Sequence, residues 1–240
     1  MKRLLIDAGN TRIKYALVES EQWLPVLNLP VSAQLRFDEP CYNGVEQVWV
    51  SNVAGAEIGR QIAAACAARH WQPHFITSQV VQCGVSNGYG MAAQLGCDRW
   101  AALIAARHQA GRACLVVNSG TATTIDALSG RGEFLGGLIL PGIELMQRSL
   151  TAATAQLQEA GGDYARFPRN TADALFSGAI QASCGAIQRQ HALLGDVAAP
   201  VLMGGGAAGL LQPYVHLPVQ MMDNPVLQGL LLIAQETNKA

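Results

Sequence analysis

At 240 residues the chain has room for one large domain or two modest ones, each with a core of its own. Half of it is hydrophobic and only 14% is charged, as in a compact globular enzyme with extensive buried surface, and a formal net charge of −1 leaves no bulk field to attract nucleic acid or an anionic membrane. Any anion site must therefore be built locally, from backbone amides and one or two placed cations.

In chain order, strand and helix signals alternate. Arg3 to Ile6 is apolar and β-compatible, Asp7-Ala8-Gly9-Asn10-Thr11 has turn chemistry, and Ile13 to Val18 resumes a strand, so the chain opens on a β-hairpin. Residues 20–46 are poorly patterned and are assigned only loosely to strands and loops. Gln47 to Ser51 predicts a strand, residues 54–70 an alanine-rich helix with Ile58 and Ile62 on one face, and His74 to Thr77 another short strand. A glycine-containing loop from Gly84 to Gly96 leads into a helix that starts near Asp98 and ends before Gly111.

At Ala113 the pattern restarts. Ala113 to Val117 and Thr123 to Leu128 predict strands around an Asn118-Ser119-Gly120-Thr121 turn. This turn has the layout of the N-terminal one, about half a chain away, and the simplest reading is a duplicated α/β unit, because solenoid repeats have much shorter periods. Gly136 to Leu140 predicts a short strand, 142–156 and 172–194 predict helices, and Pro200 to Met203 a strand running into Gly204-Gly205-Gly206. Two domains are expected, 1–112 and 113–240.

The six cysteines (Cys41, Cys66, Cys83, Cys97, Cys114 and Cys184) include no CxxC pair, and the five histidines form no metal-like cluster with them. A disulfide scaffold and a structural zinc site are thus disfavoured, and most of these thiols are expected in cores in a reducing compartment. The N-terminus reaches Asp7 after Leu4, Leu5 and Ile6, too short an apolar run for a signal peptide. No stretch of roughly eighteen apolar residues appears, so the expectation is a soluble, cytoplasmic protein without a membrane or nucleic-acid partner.

The first turn can aim several backbone N–H groups at one point. Gly9 lets the main chain approach a phosphate, Asn10 and Thr11 add donors, and Lys14 supplies a point charge. Asp7 beside an anion site makes sense if Mg²⁺, directly or through water, lies between carboxylate and phosphate. Taken alone, a D-x-G-N-T segment is better read as an ordinary hairpin with an Asx-type turn. The second turn, with Gly120, Thr121, Thr123 and Thr124, favours phosphate binding, because two such turns from duplicated halves can face one nucleotide across a cleft.

Asp98 can accept the proton of an attacking hydroxyl, and Arg99 can clamp an acidic acceptor in bidentate fashion, although on spacing alone an N-cap and a solvated first-turn arginine are the better reading. Gly204, Gly206 and Gly209 satisfy G-x-G-x-x-G with Asp223 downstream, but too little chain follows for a doubly wound sheet; close packing, or backbone approach to an adenine ring, explains them better. No Walker A sequence exists. Asn170-Thr171 reads as a helix N-cap, and Tyr89 as a packing residue in a glycine-flanked loop.

These motifs together resemble the type III pantothenate kinases. Asp7 to Lys14 matches D-x-G-N-T-x-x-K, Gly96-Cys97-Asp98-Arg99 matches G-x-D-R, and Gly120 to Asp126 matches G-T-A-x-T-x-D; Gly136-Gly137 to Pro141-Gly142 and Asn170-Thr171 follow in the right order. The resemblance covers about residues 1–230 and is weakest over 20–46. It implies a duplicated actin-like ATPase fold, two similar domains around a nucleotide cleft, in a homodimer that phosphorylates pantothenate to 4′-phosphopantothenate with ATP and Mg²⁺, at the start of coenzyme A biosynthesis.

Under it Asp7, Ala8, Gly9, Asn10, Thr11, Arg12, Ile13, Lys14 and Thr121 would bind ATP. Gly96, Cys97, Asp98 and Arg99 would contact pantothenate, with Asp98 the proton acceptor and Tyr89 and Thr171 completing the pocket near the dimer interface. The family prefers aspartate at the position of Asn118, where it is associated with a monovalent cation such as K⁺ or NH₄⁺; asparagine keeps the carbonyl ligand and loses the charge. The alternatives are a transcriptional accessory protein on the same scaffold and a kinase of the same superfold acting on a sugar or acetate; intact Asp7, Lys14, Asp98 and Arg99 argue against the first.

Overall fold

The opening hairpin consists of β1 (Lys2–Ala8) and β2 (Arg12–Glu19), antiparallel, with Asp7 opposite Lys14. It belongs to a computed structural model that describes residues 1–153 and 161–238. Asp7 and Ala8 still pair across the hairpin, so the turn is tighter than the composition suggests, and it closes with the Gly9 amide donating to the Arg12 carbonyl at 3.0 Å. β3 (Gln22–Trp23) and β4 (Leu27–Pro30) pair with β2. β5 (Gln47–Asn52) runs parallel to β1, α1 (Ala56–Ala67) crosses over, and β6 (Pro73–Phe75) runs parallel to β5.

Leu4, Ile6 and Ala8 of β1 join Val48, Val50, Ile62 and Phe37 in one core. The opposite face of β1 and β5 is covered by the helix Pro225–Thr237. Burial on both faces explains why Leu4-Leu5-Ile6 and Val48-Trp49-Val50 are continuous apolar runs instead of alternating ones. In the weakly patterned stretch, Phe37 anchors the chain, its ring edge-on to Tyr15 at 5.8 Å and to Tyr42 at 5.2 Å. α1 stops at Ala67, short of the expected end, and His70 takes φ +59° to turn the chain toward Trp71.

A hairpin of β7 (Val81–Gln82) and β8 (Val85–Asn87) precedes and enters the segment read as a loop from Gly84 to Gly96. Its two-residue turn needs positive φ twice, at Cys83 (+48°) and Gly84 (+72°). The unfavourable Cys83 conformation is held by Glu236, whose carboxylate accepts the Cys83 amide at 2.9 Å and the thiol at 3.3 Å. α2 (Cys97–Ala110) follows, buried on nearly every side from Trp100 to Ala106.

The second half contains β9 (Cys114–Ser119), β10 (Ala122–Leu128), β11 (Glu133–Pro141), α3 (Ile143–Ala153), α4 (Thr171–Leu194), β12 (Val201–Gly204), α5 (Ala208–Leu211), β13 (Val219–Met221) and α6, the Pro225–Thr237 helix. The end expected for the first of these helices, residues 154–156, lies outside the described residues. Strands run β13-β12-β9-β10-β11, and in the first half β6-β5-β1-β2-β3. In both, two parallel strands lead to an antiparallel hairpin. The duplication is thus a shared topology, in which Asn118 takes the place of Asp7: Asp7 lies between Lys14 and Ser51, Asn118 between Thr124 and Gly204.

The chain divides into two units, Met1–Ala105 with Pro225–Ala240, and Ala106–Asn224. This grouping differs from a division at 112/113 in that the boundary falls within α2, at 105/106, and in that α6 packs on β1 and β5 and so returns to the first unit. The second core gathers Leu115, Val117, Ile125, Ile143, Ile180, Val201 and Met203. Cys66, Cys114 and Cys184 are buried core thiols, each pushed up to about 11 by burial. Among the described residues no helix is long and apolar enough to cross a membrane.

Candidate active site

The first unit brings Asp7, Gly96, Cys97, Asp98, Arg99 and Tyr89 into one neighbourhood. α2 begins at Cys97, and the Gly96 carbonyl accepts the Trp100 amide at 3.0 Å as its first helical bond. Asp98 is therefore the second residue of the helix and not its cap, and its carboxylate accepts its own and the Arg99 amide. These bonds and the Arg99 charge favour the ionised form, but burial outweighs them and raises Asp98 above the ordinary carboxylate range. A raised carboxylate is the stronger proton acceptor. The carboxylate lies so close over Gly96 that a Cβ there would sit 2.6 Å from its Oδ1.

Asp7 is pushed up to about 7, first by burial and then by the charge of Asp98, with Lys14 opposing. Two carboxylates that resist sharing a site, beside a cationic side chain, form a donor set suited to a divalent cation and phosphate oxygens. The hairpin tip fits that use: Asn10, Thr11 and Arg12 are exposed, Lys14 is half-buried, and Ala8 and Ile13 are buried in the core, so only their backbone can face a ligand. Arg12 is engaged by Asn28, its Nε donating at 2.7 Å.

Arg99 is 6% exposed, and its Nη1 donates to the Tyr89 hydroxyl at 3.2 Å with the guanidinium 5.9 Å from the ring centroid. The Tyr89 amide donates in turn to Asn87 Oδ1 at 3.0 Å, so the Tyr89 loop is held from the β7–β8 hairpin. Tyr89 is thus a partner of the predicted substrate clamp, a link that the glycine-flanked loop did not signal. Ser51 and Ser78, buried around the start of α2, were not legible as site residues at all.

The second unit holds Asn118, Thr121 and Thr171. Gly205, at φ +97°, passes so close to the second hairpin that a Cβ would lie 2.6 Å from Asn118 Oδ1 and closer still to the Ser119 carbonyl. Gly205, which lies between the first two glycines of the G-x-G-x-x-G pattern, thus allows the chain leaving β12 to pass close to the end of the neighbouring β9; a Cβ at Gly206 or Gly209 would meet nothing within 4 Å, and α5, which contains Gly209, is only four residues long. Ser119 and Thr123 join hydroxyls at 3.3 Å beneath the turn. Thr171 is the first residue of α4, capped by Asn170, whose Oδ1 accepts the Asp173 amide at 2.9 Å. It borders a cavity of about 410 Å³ between α3 and α4, lined mainly by Met146, Leu150, Ala174 and Leu175.

The family profile described as type III pantothenate kinase matches residues 3–192. A type III pantothenate kinase of Nitrosospira multiformis is 45% identical over 241 residues, covering 98% of this chain and 92% of its own. The chain belongs to the type III pantothenate kinase family. A solved structure from Campylobacter jejuni, assigned to the Baf family of transcriptional activators, superposes with a TM-score of 0.61 at 22% identity, covering 99% of this chain and all (100%) of its own. A Listeria monocytogenes protein assigned as an N-acetylmannosamine kinase gives 0.56 at 12% identity, covering 99% and 100%. At such identities both likenesses concern the fold, which is that of the actin-like ATPases.

For a kinase of this family the Gly96 contact has a direct consequence. Gly96→Ala must displace the Asp98 carboxylate, and a shift of that kind is expected to lower kcat by about 10- to 100-fold, with the circular dichroism spectrum unchanged. Steady-state phosphorylation rates check it.

Proposed function

We propose that the protein transfers the γ-phosphoryl group of ATP to the 4′-hydroxyl of pantothenate, giving 4′-phosphopantothenate for coenzyme A biosynthesis in the cytoplasm. The single observation that carries the reading is the juxtaposition of Asp98 and Asp7 in the first unit, close enough for the charge of one to raise the other, with Arg99 and Tyr89 beside them. Asp98 accepts the hydroxyl proton as the oxygen attacks phosphorus, and its raised basicity suits that step. Arg99, steadied by Tyr89, orients the acceptor carboxylate, and Gly96 and Cys97 supply backbone at the same loop. The hairpin from Asp7 to Lys14 cradles the phosphates with backbone amides and the Lys14 charge, Thr121 contributes a hydroxyl to ATP, and Thr171 contributes one to the acceptor.

Asp7 would hold Mg²⁺, directly or through water. When bound with ATP, that ion supplies positive charge against the β- and γ-phosphate oxygens. Asn118 would offer a monovalent cation a carbonyl oxygen without charge. Rates are therefore expected to depend only shallowly on K⁺ or NH₄⁺, and Asn118→Asp to steepen that dependence; titrating each salt against both proteins decides it, and an equal or steeper dependence in the natural enzyme would overturn it. A homodimer is proposed because Leu145 and Leu150 on α3 are 38% and 48% exposed, an apolar surface suited to a second copy.

Coupled ADP release with pantothenate, hexoses and acetate as separate acceptors tests the reading. Release is expected with pantothenate alone. Release with a sugar or acetate would reassign the acceptor, and release with none, accompanied by tight DNA or protein binding, would favour a regulatory role.

A further inference from the structure

The loop before α2 is gripped from two sides by groups that touch no substrate in the proposed reaction. Ser78, in the connection after β6, is 6% exposed; its hydroxyl donates to the Leu95 carbonyl at 2.8 Å and lies 3.5 Å from that of Gly96. These are the last two residues before the helix, and the Gly96 carbonyl is also the acceptor of the first helical bond. On the other side Ser51, fully buried at the end of β5, places its Oγ 3.4 Å from Cys97 Sγ, and the thiol reaches the Asn52 carbonyl at 3.6 Å. Ser51 is also the register partner of Asp7 in β1. The strand carrying one carboxylate and the helix carrying the other are thereby joined through Ser51 and Cys97.

We propose that Ser78 and Ser51 are positioning residues of the kinase reaction, which fix the start of α2 so that the Asp98 carboxylate stays beside Asp7 and over Gly96.

The physical reason lies in how little latitude that carboxylate has. It sits against Gly96 with no space for a methyl group, so a small rotation of the Leu95–Gly96 peptide carries it with the loop. Removing the Ser78 hydroxyl leaves a buried carbonyl without its donor, and the cheapest relief is for the peptide to turn toward water. Removing the Ser51 hydroxyl frees the Cys97 thiol from one of its two partners and is expected to have the smaller effect. The hydrogen bonds of the two serines go to Cys97 Sγ and to the Leu95 and Gly96 carbonyls, so both act through the residues on either side of the helix start.

This inference rests on the proposed kinase reading, and a mutant cycle with Asp98→Asn separates the two. Ser78→Ala is expected to lower kcat about tenfold with KM for ATP changed by less than about twofold, and Ser78→Thr, which keeps the hydroxyl, to restore most of the loss. In the Asp98→Asn background Ser78→Ala is expected to cost less than about twofold more, since there is no base left to misplace. Unchanged kcat in Ser78→Ala, or an equal loss in both backgrounds, would overturn the inference as a purely structural effect. If Ser78→Ala fails to accumulate as folded protein, Ser51→Ala in the same cycle decides by the same criterion. A wild-type enzyme inactive on pantothenate sinks the kinase reading instead; if it turns over another acceptor, the cycle is run on that acceptor.

Discussion

Asp98→Asn is expected to lower kcat for pantothenate phosphorylation by about 10²- to 10⁴-fold, the range spanned by loss of a general base, while the Kd for ATP stays within about twofold. Asparagine has the size of aspartate and still offers an oxygen to the Asp98 and Arg99 amides, so the start of α2 keeps its local bonds. What it loses is basicity, and in a phosphoryl transfer the acceptor hydroxyl then has no positioned group to take its proton. The same carboxylate sets an acid limb in the pH–rate profile. Because burial raises Asp98, that limb should fall at a higher pH than an ordinary aspartate would give, and it should vanish in Asp98→Asn. Kinetics with tight nucleotide binding but unchanged kcat would remove Asp98 from the base role.

Asp7→Asn is expected to abolish activity and yet stabilise the metal-free protein at alkaline pH. The carboxyl of Asp7 is pushed up to about 7 from an ordinary 3.8. Below the ordinary value both folded and unfolded chains hold the proton, and the substitution is neutral. As pH rises from there to about 7, the unfolded chain ionises freely while the folded one resists, so the native state progressively loses stability. Above pH 7 the full cost is present, at most about 4 kcal/mol from the shift and about 2 kcal/mol after allowance for partial solvent access to the side chain. Removing it should raise Tm by about 4–8 °C at pH 8 in the presence of a chelator, and by progressively less toward pH 4. Thermal unfolding of both proteins across that range decides it, since a pH-independent difference would mean that the gain does not come from ionisation. A carboxylate this costly in the empty protein is what a cation-binding role would leave behind.

Much of this was legible because local chemistry and global fold agree. Asp7-Ala8-Gly9 and Asn118-Ser119-Gly120 mark two hairpins whose strands have the same order and direction in each half. Turn residues between apolar runs are a strong signal, and both hairpins were found at their expected places. The β7–β8 hairpin was not, because Cys83-Gly84 lacks the Asn-Gly or Asp-Gly pair of such turns and Cys83 is held in its conformation by Glu236, far along the chain. The return of α6 to the first unit was hidden for a related reason: its partners, β1 and β5, lie at the other end of the sequence.

At the site, motif residues were visible and their supports were not. Asp98 and Arg99 stand out by charge at a helix start, but a serine in Gln47-Val48-Trp49-Val50-Ser51 reads as the frayed end of a strand. Ser78 sits in an unremarkable polar loop, and only the structure reveals its bond to Leu95. Gly205, inside the G-x-G-x-x-G run but not one of its three glycines, is the position where a side chain has no room, against the Ser119 carbonyl and Asn118 of the neighbouring strand.

The most direct measurement is mass-spectrometric identification of the product formed from ATP, Mg²⁺ and pantothenate. A pantothenate species heavier by one phosphoryl group, carried on the 4′-hydroxyl and formed in step with ADP, is the predicted result. ADP accumulating at the same rate without pantothenate, and no phosphorylated acceptor, would contradict the account.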